Sequence, residues 1–155
     1  MLEEAKYKNI FRGITISVVV TVIAYIIISI ISVIVLGFIW PGFFLFADLQ
    51  FSLGTVFGVY YFIKTRQPDQ SILKYGVIIG IVGGIISAFF ISLYQILLLD
   101  SSYFLGYLLG GLISGVFVGF LIGVIICVYF MYKEVKEERP EKHYDDDFFK
   151  DLIED

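Results

Sequence analysis

The chain is short of nearly everything from which active sites are built. Its 155 residues include one cysteine, one histidine and one tryptophan, and a single asparagine, Asn9. With only Cys127 present, an internal disulfide is excluded and the redox compartment stays unread. Asn9 is followed by Ile10 and Phe11, so there is no glycosylation sequon. Charge is missing over most of the length. Outside the first twelve residues, the stretch 64–74 and the segment after Tyr132, only Asp48 and Asp100 carry a formal charge at neutral pH. A metal centre needs several His, Cys or carboxylate ligands, and intramembrane hydrolysis needs a nucleophile with a base or a pair of aspartates. The apolar part of the chain offers one carboxylate and one thiol at depth, and His143 stands outside it. The expectation is a protein without catalytic site, metal or cofactor. A basic footprint for nucleic acid is also lacking.

What is abundant is apolar sequence. Hydrophobic residues make up 59% of the chain and the mean hydropathy is +0.90, above the range of an ordinary soluble domain. A run of roughly 20 apolar residues crosses the hydrocarbon core, and four such runs occur, at about 11–36, 43–63, 73–99 and 104–132. The predicted fold is therefore an all-α integral membrane protein, a bundle of four transmembrane helices. Residues 1–10 form a short N-terminal segment and 133–155 an acidic tail. The first run exceeds a signal peptide's apolar region, and "VLGFIWPG" offers no small-residue cleavage site, so it reads as a retained helix.

All eleven Lys and Arg fall in three places: Lys6, Lys8 and Arg12; Lys64, Arg66 and Lys74; and five positions in the tail. The loops "GFIWPG" and "LDSS" carry none. Positive segments stay cytoplasmic, which predicts a multi-pass protein of the cell membrane with both termini and the middle loop inside.

Glycine recurs at helical spacing. Gly111, Gly115, Gly119 and Gly123 lie four apart, and Gly76, Gly80 and Gly84 repeat the device, continued by Ala88. Gly54 and Gly58 follow it in the second run, and Gly13, Ser17 and Thr21 in the first. In lipid, helices associate through close packing at small residues, so these stripes predict helix-packing faces, with the longest, on the fourth helix, the first candidate for an outside partner. Aligning Gly13 with Gly76 matches six of the eighteen positions 13–30 and 76–93, and "GVYYFIK" rhymes with "CVYFMYK". The pattern suggests two tandem helical hairpins related by a pseudo-two-fold axis along the membrane normal.

Two further features bear on function. An ionisable group inside a span is a functional hypothesis by default, and Asp48, with Gln50 and Gln95 from the same side, forms a candidate outward-facing polar site. In the tail, "DDDFFKDLIED" places Phe148 against Leu152 and Phe149 against Ile153 at i, i+4 spacing, a short acidic amphipathic helix suited to a protein groove or to the basic loop at Lys64, Arg66 and Lys74. The stretch "VFGVYYFIKTRQPDQSILKYGVIIGIVGGIISAFF" resembles small four-span prokaryotic membrane domains of unknown function, in which a basic loop leads into a Tyr-Gly-initiated, glycine-rich third helix. That resemblance implies four spans and assigns no functional residue. The residues together point to a non-enzymatic accessory or scaffold subunit, its partners the bilayer and either a second copy or another membrane protein. The alternative is a homo-oligomeric channel or small transporter using Asp48.

Overall fold

The computed structural model describes residues 2–36, 47–98 and 104–138, with side chains over 7–35, 49–97 and 105–136. Every described element is an α-helix: α1 (Leu2–Leu36), α2 (Ala47–Thr65), α3 (Ile72–Leu98) and α4 (Phe104–Glu138). The tail with Phe148, Phe149, Leu152 and Ile153 lies outside the described residues, as do Trp40, Pro41 and Asp100. Three of the four helices, α1, α3 and α4, are long and apolar enough to cross a membrane. The described part of α2 is shorter and carries Gln50, Ser52, Thr55 and Lys64, which dilute its hydropathy. At 1.5 Å per residue, α1 and α4 are each about 50 Å long, well beyond a hydrocarbon core of about 30 Å. Both exceed the predicted spans at the end that holds their charges, α1 back to Leu2 and α4 on to Glu138.

Small residues set the arrangement. In α1 and α2 the close approach runs Gly13 to Gly58 and Ser17 to Gly54, and Asn9 Nδ2 donates 2.7 Å to the Thr65 carbonyl. The two helices are thus antiparallel. In α3 and α4 the antiparallel register is Gly80 on Gly119 and Gly84 on Gly115, with Gly111 beside Ala88. Tyr25 meets Gln95 and Ser17 meets Gly83, so α1 and α3 run parallel, with α1 also packed on α2. α2 lies against α3 and α4, while α1 and α4 barely touch. The bundle is a rhombus with α2 and α3 on its short diagonal.

That arrangement corrects the expected symmetry. A two-fold axis along the normal would pair the α2–α3 interface with an equal α4–α1 interface, and the second is all but absent. The hairpins α1–α2 and α3–α4 sit side by side instead. The equivalence seen in the sequence survives locally: Gly13 against Gly58 corresponds to Gly76 against Cys127.

The surface is inverted relative to a soluble bundle. Large apolar side chains, among them Ile27, Ile34, Phe57, Phe90, Phe117 and Ile125, are exposed, whereas Ser17, Thr21, Gln50, Thr55, Ser87 and Gln95 are buried. Water would penalise both halves of that distribution, and lipid favours both. One end of the interior is closed by an apolar cluster of Ile10, Val59, Phe62, Ile72, Ile79 and Cys127.

Candidate functional site

The stripe residues pack within the chain. A methyl group on Gly80 would strike the Gly119 backbone, one on Gly84 the Gly115 carbonyl, and one on Gly115 would come 2.6 Å from the Gly84 carbonyl. Gly76 faces Cys127 Sγ and Val59 Cγ1, and a methyl on Gly123 would stand 3.4 Å from the Gly76 carbonyl. The α4 groove expected to receive a partner is therefore filled by α3, because only glycine on both sides lets the two backbones come this close. Cys127 adds a thiol that donates to the Ile72 carbonyl at 3.4 Å.

At the charged end, the α2–α3 loop is built from its own side chains. The Gln67 amide donates 2.9 Å to Gln70 Oε1, the Gln70 amide returns 3.0 Å to the Gln67 carbonyl, and Ser71 Oγ accepts the Lys74 amide at the start of α3. Arg66 then spans from the Gln70 carbonyl to Glu134 of α4, a 2.6 Å ion pair. Lys64 lies over the Tyr60 ring and Lys74 over the Tyr75 ring. Of the three cations considered as a dock for the tail, Arg66 already has an acidic partner on α4.

The interior holds a polar arrangement that the sequence disclosed only in part. On α1, Ser17, Thr21, Tyr25 and Ser29 recur every four residues; on α3, Gly83, Ser87, Ile91 and Gln95 do the same. Four-residue spacing keeps each set on one face, and the two faces meet. Ser17 Oγ abuts Gly83, and Gln95 Nε2 donates 2.9 Å to the Tyr25 hydroxyl, with the Ser29 hydroxyl beside it. Tyr94 stacks edge-on against Tyr25 with ring centroids 5.8 Å apart. Thr21 Oγ1 closes onto the Ser17 carbonyl at 2.8 Å and Ser92 Oγ onto that of Ala88 at 2.8 Å.

Of the predicted trio, Gln50 and Gln95 are both buried. Asp48 belongs to the first turn of α2, and its side chain lies outside the described residues. Gln50 precedes Phe51, which packs with Ala88 and Ile91, so both glutamines belong to the half of the bundle away from the charged end. The partner of Gln95 is Tyr25, which sequence reasoning missed along with Ser29 and Ser87. Their signal was available as a polar residue every fourth position in an Ile- and Val-rich helix. A groove of about 350 Å³ between α2 and α4 is lined by Ser52, Ile113, Ser114, Phe117 and Leu121 and is otherwise apolar.

Three apolar helices long enough to span, an apolar exterior and a polar, small-residue interior fit the class of helical membrane bundles. Comparison of the chain with protein families, characterised proteins and solved structures finds no match.

Proposed function

We propose that this protein is a non-enzymatic membrane subunit, an accessory or scaffold to a larger partner, with all four helices spanning and both termini cytoplasmic. The observation that carries the reading is how the bundle uses its residues. The glycines of α3 and α4 are consumed in making a fixed two-helix unit. What remains for others is the apolar outer surface, of which the α4 face with Ile113, Phe117 and Ile125 exposed leads toward the acidic tail. The charge distribution supports the orientation: Lys8, Arg12, Lys64, Arg66, Lys74, Lys133 and Lys136 gather at one end, the end that positive-inside bias holds in the cytoplasm.

The test is a photo-crosslinking side chain placed at Phe117 or Ile125 in the native membrane, with the tail intact and with 144–155 deleted. The expected result is one discrete heterologous adduct that the deletion weakens. Adducts to lipid alone at both positions, with or without the tail, would remove the proposal.

A second reading, a homo-oligomeric channel or small transporter with an outward-facing polar site at Asp48, draws on the burial of Gln50 and Gln95. Proton or cation flux in proteoliposomes that is abolished by Asp48→Asn would favour it. Flux unchanged by that substitution would remove Asp48 from the role, and no flux at all would retire the reading.

A further inference from the structure

The ladder between α1 and α3 contains more hydrogen-bonding capacity than the described residues satisfy. Among them, Ser17 Oγ, Ser87 Oγ and Gln95 Oε1 have no partner, and their residues are 1%, 0% and 4% exposed. Buried polar groups are almost always paired with protein or ordered water, so three orphans on one seam call for a common explanation.

Gln95 is the clearest case. Its amide nitrogen donates to Tyr25, and its oxygen accepts from none of the described residues. Rotating the amide by half a turn exchanges the two groups and leaves the NH2 unpaired in place of the oxygen. Neither orientation satisfies both ends from the described residues. Ser87 sits two turns along α3 on the same face, and Ser17 lies beyond it, against Gly83. From Gly83 to Gln95 the seam rises about 18 Å, more than half the thickness of a hydrocarbon core. Below Ser17 it meets the apolar plug around Ile10 and Ile79.

We propose that this seam is hydrated. Bound water enters from the end opposite the charged collar, bridges Gln95 and the Tyr25–Ser29 pair, reaches Ser87, and stops at the plug. Water suits the donor set because it is small, donates to a free amide oxygen, and both donates to and accepts from a hydroxyl. Around Gln95 it finds the polar partners it needs in Gln95 Oε1, Tyr25 and Ser29. The ladder is then a wet seam beside the dry, glycine-filled α3–α4 seam, and it admits water to the middle of the membrane from one side. This inference is independent of the scaffold reading and of any role for Asp48.

The test is water-edited solid-state NMR on the full chain in lipid bilayers, measuring magnetisation transfer from water to individual side chains. Ile79 in the plug is the dry reference and Lys64 at the charged end the wet one. The expected result is transfer to Gln95 and Ser87 several-fold faster than to Ile79 and approaching that of Lys64. Transfer to both as slow as to Ile79 would overturn the proposal. Fast transfer at Gln95 with slow transfer at Ser87 would confine water to the mouth and refute the claim of depth.

Discussion

The glycines differ from one another in what surrounds them, and that difference is testable residue by residue. Gly115→Ala forces a methyl onto the Gly84 carbonyl and Gly119→Ala one onto Gly80, contacts with backbone that no rotamer can relieve. Each is expected to cost about 1–3 kcal/mol of bundle stability, the range for overpacking a tight core. Gly111→Ala places its methyl 3.4 Å from Ala88 Cβ, an ordinary contact, and Gly106→Ala meets nothing within 4 Å. Both should be near neutral. Thermal or SDS-titrated unfolding in micelles reads the order directly, and equal effects at Gly106 and Gly115 would contradict the packing described. Tyr25→Phe removes the hydroxyl that receives Gln95. Hydrogen bonds between membrane helices average about 0.6 kcal/mol, so its effect should be smaller than that of either severe glycine variant.

At the scale of elements, the defining feature is that, among the described residues, α1 and α4 are held at opposite corners and are joined almost wholly through the α2–α3 pair. In a Cys127→Ala background, Tyr60→Cys with Phe130→Cys should crosslink with a short reagent, since those rings lie 5.8 Å apart across α2 and α4. Val19→Cys with Ile113→Cys, at the same depth on α1 and α4 by the registers of both helices on α3, should not, and a crosslink there would contradict the rhombus. The Arg66–Glu134 pair ties the loop to α4, but the Glu134 side chain is 46% exposed. A double-mutant cycle is accordingly expected to give less than about 1 kcal/mol and to weaken in high salt.

Much of this level was legible in the sequence. The length of the apolar runs located four helices, and the small-residue spacing located the faces that meet, because both depend on residue type alone. Which faces pair with which was not legible. Gly111–Gly123 looked like a surface for a partner because nothing in one helix tells whether its groove is filled from inside the chain. The two-fold arrangement failed for a similar reason: a repeat fixes what each hairpin resembles, not where it docks. Tyr25 and Ser87 were overlooked because each is unremarkable alone and acquires meaning only when α1 and α3 run parallel at this register.

Over the described residues the molecule joins an apolar exterior, a charged end and an interior divided into a glycine-packed seam and a polar one. Reporter fusions at the N-terminus, within 64–74 and at the C-terminus should all report the cytoplasmic side; termini on opposite sides would mean that α2 does not span, and both termini outside would invert the orientation. The central claim is that this bundle serves a partner, and native mass spectrometry of the tagged protein, gently extracted from its own membrane, tests it most directly. The predicted result is a stoichiometric complex with a larger membrane protein that dissociates when 144–155 are deleted. A clean monomer or homo-oligomer, unchanged by the deletion, would contradict it.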